Sequence, residues 1–152
     1  MSYLADGLAD GLADGLAQPK AQADGLDAPY FDGANAGRLV LQRCSGCHHF
    51  QWGPEWICHR CHCFDLGWDE VTTAGIIYSY ERVWHPVHPA LQAQGPYIVA
   101  LVELPHADNV RLIGNLLGDA KATVNIGSTV RAVFEHHAQA ATPFTLVQWQ
   151  RV

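Results

Sequence analysis

Residues 44–61 read CSGCHHFQWGPEWICHRC, which is two Cys-x-x-Cys pairs separated by ten residues. Each pair holds two thiolates side by side in a tight turn, and two turns supply the four ligands of a structural zinc site. Disulfides are the alternative use of four cysteines, but the doubled pairs favour a metal. The stretch therefore predicts a rubredoxin-like zinc ribbon whose ligands are Cys44, Cys47, Cys58 and Cys61. Iron suits the same four thiolates, and the spacing does not separate it from zinc.

Further metal-binding side chains surround the pairs: Cys63, His48, His49, His59 and His62. Four thiolates already complete a tetrahedral shell. We therefore predict that Cys63 is a spare or buried thiol and that the histidines pack around the site or face solvent.

The aromatic stretch between the pairs, residues 50–57, has two readings. These side chains either cover a metal site that is too small for its own core or form an exposed platform for a partner. Trp52 and Trp56 are the candidates for partner contact.

The C-terminal half contains five β-rich segments bounded by Gly and Pro, at 74–84, 97–104, 109–117, 128–137 and 144–151. Alternating apolar residues such as Ile98, Ala100 and Val102 share one strand face. Five short strands without a strong helix predict a small barrel of the OB type. The segment 85–96 is too long for a tight turn and is expected at the barrel mouth, where His85 and His88 become candidate ligand contacts.

The N-terminal part begins with a repeat. Residues 4–17 read LADGLADGLADGLA, with an echo ADGL at 23–26. A glycine in every unit weakens a helix, so residues 1–26 are predicted to be a flexible low-complexity tail. A short helix is predicted at 28–36, with Asp27 as its cap, Pro29 in its first turn and Gly37 at its end. A strand at 38–43 then leads into the cysteines. The predicted class is mainly β, with helix plus ribbon at 27–69 and the barrel at 70–152.

Charge and hydropathy exclude several functions. The net charge is −6, of which residues 1–32 carry −5 (six acids, one base) and residues 33–152 carry −1 (nine acids, eight bases). Nucleic-acid binding draws on a basic face, so this balance argues against it. No apolar run approaches the roughly 18 residues of a membrane span, and no basic-then-apolar signal opens the chain. We expect a cytoplasmic protein.

The order of short helix, doubled Cys-x-x-Cys and five-stranded barrel resembles the family catalogued as domain of unknown function 35, the acyl-CoA-associated zinc-ribbon plus OB-fold proteins. The matching stretches are GRLVLQRCSGC (37–47), PEWICHRC (54–61), IIYSY (76–80), PYIVALVEL (96–104), NVRLIGNLLG (109–118) and IGSTVRAVFE (126–135). The chain departs from the family pattern in its repeat, in His48 where Gly often follows the first pair, and in His62-Cys63 after the second.

The resemblance implies an accessory subunit that is not catalytic by itself. Proteins similar to this one assemble as hetero-oligomers with thiolase-superfamily enzymes, including acyltransferases and steroid side-chain aldolases, and some accompany MaoC-like hydratases. In these assemblies the zinc is structural, and the subunit helps to form the channel for the acyl-CoA thioester.

Two other functions stay open from the residues alone. An OB-fold with aromatic platforms can stack single-stranded nucleic acid, although the charge argues against it. Iron at the four thiolates would instead make the ribbon a rubredoxin-like electron carrier.

Overall fold

The computed structural model describes residues 20–92, 95–138, 140 and 142–152. Within these ranges the chain is mainly β, with one short helix ahead of a ribbon sheet and a five-stranded barrel, which confirms the predicted fold class. The predicted flexible tail covers residues 1–26, of which residues 1–19 lie outside the described residues. No helix in the described part is both long and apolar enough to cross a bilayer.

The helix α1 runs over Ala28–Asn35, and the chain leaves it through Gly37, whose φ of 70° is the left-handed conformation that glycine adopts without strain. The prediction that the Asp27 side chain caps this helix is wrong. Its Oδ1 instead accepts a hydrogen bond from the backbone N–H of Gln22 at 2.7 Å, which fixes the turn before the helix.

The ribbon is a three-stranded antiparallel sheet in the order β2-β1-β3, with β1 at Leu39–Cys44, β2 at Phe50–Gln51 and β3 at Leu66–Val71. The central strand β1 is buried along nearly its whole length: its Leu39 and Leu41 belong to one core cluster with side chains of the barrel, and its Val40 lies against Gly33 of α1. It therefore fixes the first cysteine pair to the rest of the molecule.

The barrel has the strand order β6-β5-β4-β7-β8. Its strands are β4 (Ala74–Val83), β5 (Tyr97–Leu104), β6 (Val110–Asn115), β7 (Thr129–His137) and β8 (Phe144–Arg151). A short helix α2 (Pro89–Gln92) lies between β4 and β5, and a 3₁₀ turn (Pro105–Ala107) between β5 and β6. The outer strands meet through a parallel bridge between Leu116 and Trp149, so the sheet closes almost completely, as an OB-fold does.

One hydrophobic core joins the ribbon to the barrel. It contains Ala34 of α1 and Leu39 and Leu41 of β1 together with the inward side chains of the barrel strands. The Thr145 hydroxyl also donates to Asn35 Oδ1 at 2.7 Å, between β8 and α1. The ribbon and the barrel are therefore expected to unfold together.

Closure of the barrel depends on Gly114. A Cβ there would lie 2.7 Å from the Val147 carbonyl oxygen and 3.0 Å from the fully buried Trp149 ring. Gly114→Ala is expected to cost about 1–3 kcal/mol in the free energy of unfolding, because neither neighbour can move without opening the β6–β8 contact.

The matched control is Gly67→Ala in β3, where the added Cβ meets only the Arg43 carbonyl oxygen at 3.9 Å. This change should raise stability by roughly 0.4–1 kcal/mol through the unfolded state. Urea denaturation measures both variants, and equal midpoints would contradict the proposed role of Gly114.

Candidate metal centre

The two cysteine pairs fold into the same turn. The His48 N–H donates to the Cys44 carbonyl and the His62 N–H to the Cys58 carbonyl, each at 2.9 Å. The Cys44 N–H donates to the His49 carbonyl at 3.0 Å, and the Cys58 N–H donates to the Cys63 carbonyl at 2.9 Å. The ribbon is thus built from two equivalent knuckles that face one another.

Both knuckles place a histidine in a left-handed conformation, with φ of 60° at His48 and 62° at His62. These are the positions where a glycine adopts the backbone without strain. Because both side chains are exposed, His48→Gly should leave stability unchanged or raise it by up to about 1 kcal/mol. His48→Val should lower it by more than about 1 kcal/mol, since a β-branched residue resists this conformation. Thermal melts of the zinc-loaded variants test the order, and a Gly variant less stable than the Val variant would refute it.

The structure brings together the four cysteines that the spacing singled out. Their sulfurs all lie within 4.8 Å of one another, with Cys44 Sγ 3.5 Å from Cys61 Sγ and Cys47 Sγ 3.7 Å from Cys58 Sγ. A zinc–sulfur bond of about 2.3 Å sets the sulfurs of a regular tetrahedron about 3.8 Å apart. The spacing therefore fits one tetrahedral ion, and it is far longer than a disulfide bond of about 2.05 Å.

The pKa values of three of the cluster thiols are shifted, and not all in the same direction. The pKa of Cys44 is lowered to about 6, first by the backbone N–H of Cys47, and that of Cys58 is lowered first by the backbone N–H of Cys61. The backbone N–H of Cys63 lowers the pKa of Cys61, but the neighbouring sulfurs, Cys44 first, outweigh it and raise that pKa to about 12. The cluster alone thus retains protons at neutral pH. A bound metal ion displaces them, so metal affinity falls on acidification.

Cys63 does not belong to the four-sulfur cluster. Its Sγ accepts the Asp65 N–H at 3.4 Å and lies on the Gly46 side of the first knuckle, where a Cβ on Gly46 would come within 3.3 Å of it. Cys63 occupies in the second knuckle the place that His49 holds in the first. Its sulfur therefore packs against the knuckles without joining the ligand set.

Two buried glutamines, which the sequence did not single out, fix the loop between the knuckles. Gln51 Nε2 donates to Gln42 Oε1 at 2.7 Å, and the Gln42 amide exchanges hydrogen bonds with the backbone of Glu55 at 2.9 and 3.0 Å. The His59 N–H donates to Gln51 Oε1 at 3.3 Å. The only sequence signal for this network was the polar Gln42 inside the apolar strand β1, and a single amide does not reveal its hydrogen-bond partner.

A second polar contact joins the first knuckle to the barrel. The Asp108 carboxylate accepts the Phe50 N–H at 2.8 Å and lies 3.3 Å from His49 Nδ1. The Phe50 N–H, with a further contribution from His49, holds the pKa of Asp108 below its usual value. This carboxylate therefore helps to orient the metal centre relative to the barrel.

The four candidate contact residues lie in different surroundings. Trp52 is half-buried, with its ring 4.5 Å from that of Tyr30, whereas Trp56 is 61% exposed. His85 is exposed and His88 half-buried in the segment between β4 and β5. Trp56 belongs to the loop between the knuckles and His85 to the segment after β4, and the assignment of all four to ligand or partner contact stays a prediction.

The outer face of strands β4, β5 and β6 carries an apolar patch, which we call the barrel patch: Tyr78, Leu101 and Ile113. Leu101 pairs with Ser79 on one side and with Ile113 on the other. Ile113 is 69% exposed and Tyr78 45% exposed. The Arg111 guanidinium lies 3.5 Å from the centre of the Tyr78 ring and bonds to Glu103 at 2.9 Å, so the patch has a charged rim.

Comparison with known proteins agrees with this architecture. Residues 68–135 match the family described as ChsH2, C-terminal OB-fold domain. A solved structure described as Ltp2-ChsH2(DUF35) aldolase superposes with a TM-score of 0.73 and 35% sequence identity, covering 88% of this chain and 98% of that chain. The chain belongs to the DUF35 family.

Two further relatives extend the comparison. A DUF35-family structure from Sulfolobus solfataricus has the same fold, with a TM-score of 0.56, 16% identity, and coverage of 82% of this chain and 84% of the other. The probable enoyl-CoA hydratase alpha subunit of Thermomonospora curvata is 40% identical over 115 residues, which is 74% of this chain. The DUF35 chain spans about a third of the length of that relative, since the match covers 34% of it.

Proposed function

We propose that this DUF35 chain is a zinc-binding, non-catalytic subunit of a thiolase-superfamily enzyme of the aldolase type that acts on acyl-CoA thioesters. The observation that carries the proposal is the 35% identity over 98% of a chain in the Ltp2-ChsH2(DUF35) aldolase. A match over the whole length of such a chain favours the same role in an assembly. Steroid side-chain thioesters are the substrate class that the family resemblance suggests.

Zinc in this proposal has a structural role. Cys44, Cys47, Cys58 and Cys61 would hold the ion, and four protein thiolates leave no position for a substrate or a water. The ion contributes positive charge that stabilises the thiolates and links the two knuckles. Thiolate ligands also require a reducing compartment, which agrees with a cytoplasmic assembly.

The barrel patch is the proposed docking surface for the enzyme. Leu101 and Ile113 of the patch lie on the second and third strands of the OB barrel, β5 and β6, and OB-folds bind their ligands with the face of these two strands. An exposed apolar centre with a charged rim is also typical of protein interfaces. The Arg111–Tyr78 stack holds both side chains in place before binding, which lowers the entropic cost of association.

The segment between β4 and β5 is the proposed contribution to the thioester channel. It carries His85, His88 and the 51% exposed Trp84, whose ring lies 5.3 Å from the Arg82 guanidinium. Aromatic and imidazole side chains at a barrel mouth suit a ligand with both apolar and phosphate parts.

Co-expression with a thiolase-superfamily enzyme tests the proposal. We expect a stable hetero-oligomer in size-exclusion chromatography and carbon–carbon cleavage of a β-hydroxyacyl-CoA only when both chains are present. A DUF35 chain that stays monomeric and leaves the enzyme's activity unchanged would overturn it.

A second candidate is a subunit of a MaoC-like hydratase, which the 40% identity to the Thermomonospora curvata relative favours. The same experiment with a MaoC-like enzyme separates the two, because hydration of an enoyl-CoA and cleavage of a β-hydroxyacyl-CoA give different products. Binding of oligonucleotides to the isolated chain would instead favour the nucleic-acid reading.

A further inference from the structure

The strand β3 lies at the edge of the ribbon sheet. In the order β2-β1-β3 it pairs with β1 over its whole length, and it pairs with no other strand among the described residues. Alternate backbone N–H and C=O groups of an antiparallel edge strand point away from its neighbour. Those of β3 therefore form an open row of donors and acceptors to which a further extended chain can bond.

The acidic side chains of β3 interact with the β1 side of the sheet. Asp69 Oδ2 lies 2.8 Å from Arg43 Nη1, and Glu70 Oε2 lies 3.6 Å from Arg38 Nη1. Charged side chains often protect a free sheet edge from pairing. Here both carboxylates lie toward arginines on the opposite side of β3, so the outer edge stays accessible.

An apolar groove of about 240 Å³ lies beside this edge. We call it the ribbon groove and define it by its apolar lining: Leu26, Pro29, Trp56, Phe64, Leu66 and Trp68. Leu66 and Trp68 are two residues apart on β3 and therefore share one face of the strand. Trp56 is 61% and Phe64 78% exposed. A strand added at the edge of β3 would direct every second side chain toward this groove.

The charge around the groove favours a basic occupant. Glu55 is the charged residue among its described lining residues, and Asp65 immediately precedes β3. Both side chains are exposed, and neither forms an ion pair within the part of the chain that the structure describes. A second copy of this chain that paired through its own β3 would instead bring Asp65, Asp69 and Glu70 to the same edge. Like charges therefore disfavour that occupant.

We propose that β3 and the ribbon groove together form a docking site for an extended segment of another protein, in which apolar residues alternate with lysine or arginine. The segment pairs with β3 as a fourth strand of the ribbon sheet and buries its apolar side chains against Trp56, Phe64 and Trp68. Its basic side chains lie on the other face of the added strand, the face of Asp65. The proposal does not depend on the barrel patch or on the enzyme partner.

Nuclear magnetic resonance of the full-length, zinc-loaded chain with a synthetic peptide tests this directly. The probe is KLKVKLK with blocked ends. We expect saturable shifts of the indole N–H resonances of Trp56 and Trp68 and slower hydrogen exchange at backbone amides of β3. Trp84, which follows β4, and Trp149 of β8 should keep their positions and serve as internal references. Absence of a saturable shift at Trp56 and Trp68 would overturn the proposal.

Two sets of control peptides separate strand pairing from charge attraction. The peptide KKLVLKK has the same composition and charge without the alternation, and it should bind about tenfold or more weakly. Two further analogues of KLKVKLK carry N-methyl groups, one on its apolar residues and the other on its internal lysines. Each analogue lacks the N–H donors of one strand edge, so one of them should lose binding and the other keep it. Equal affinities within either comparison would exclude pairing with β3.

The matched protein variants are Phe64→Ser and Ile126→Ser. Both remove an exposed apolar side chain, since Phe64 is 78% and Ile126 67% exposed, but Ile126 lies before β7 on the barrel. Phe64→Ser should raise the Kd for KLKVKLK about tenfold or more, and Ile126→Ser should leave it unchanged. Equal effects of the two variants would contradict the ribbon groove as the site. A wild-type dimer in sedimentation that Phe64→Ser converts to a monomer would also overturn the proposal, because the occupant would then be a second copy of the chain.

Discussion

The Cys44→Ser variant should fail to hold the proposed zinc ion and should lose most of its stability. Structural zinc sites contribute roughly 10–16 kcal/mol of apparent binding free energy, which is comparable to the whole stability of an ordinary domain, about 5–15 kcal/mol. Cys44 and Cys58 are fully buried, so a hydroxyl in place of the Cys44 thiolate leaves the remaining three sulfurs close together without a complete shell. Because β1 carries Cys44 and also contributes to the shared core, loss of the metal should lower the stability of the barrel together with that of the ribbon.

The matched control for this variant is Cys63→Ser. It makes the same chemical change two residues beyond Cys61, at a sulfur outside the four-sulfur cluster. It should keep one zinc per chain and change stability by less than about 1 kcal/mol. Elemental analysis of the purified proteins and thermal melts with and without a chelator measure both. A Cys44→Ser protein that keeps its metal and its melting temperature, or a Cys63→Ser protein that loses them, would exclude this ligand set. Iron in place of zinc would indicate the electron carrier instead.

The barrel and the knuckles were predictable because their signals are local. In YIVALVEL, every second side chain is apolar and faces the core, which predicts the strand β5. The observed strand, Tyr97–Leu104, has the predicted bounds. The five barrel strands end at or near the predicted glycines and prolines. The cysteine spacing is likewise a local signal, because two residues between ligands suit a tight turn and the doubled pair favours a metal site.

The remaining features depend on partners that are distant in sequence. The strand β3, LGWDEV, shows no alternation and forms because it pairs with β1 over its whole length. Asp27 stands where a helix cap is expected. Its carboxylate instead accepts the Gln22 N–H, because the chain before the helix turns back toward it. The buried pair of Gln42 and Gln51 and the Asp108 contact to Phe50 likewise join segments that only the folded sheet brings together.

Ile113→Asp is expected to weaken assembly with the enzyme partner at least about 30-fold while the chain stays folded. Ile113 is 69% exposed, so a carboxylate is well hydrated in the free protein. In a complex that covers the barrel patch the same carboxylate would be buried beside Leu101 without a partner. Central interface residues of this kind cost at least about 2 kcal/mol when removed, which corresponds to about a 30-fold rise in Kd.

The control for Ile113→Asp is Gln150→Glu. Gln150 is exposed on β8, does not belong to the barrel patch, and pairs with Arg131 of β7. The substitution adds the same negative charge to the outside of the barrel and can keep the bond to Arg131, so binding should stay within a factor of about two. Titration calorimetry with the enzyme gives both Kd values, and circular dichroism confirms that each variant is folded.

If Ile113→Asp bound as tightly as the wild type, the enzyme would dock on another face, and the exposed Trp84 and Trp56 would be the next surfaces to substitute. Loss of binding in the Gln150→Glu protein as well would show that net charge, rather than the apolar centre of the barrel patch, controls assembly.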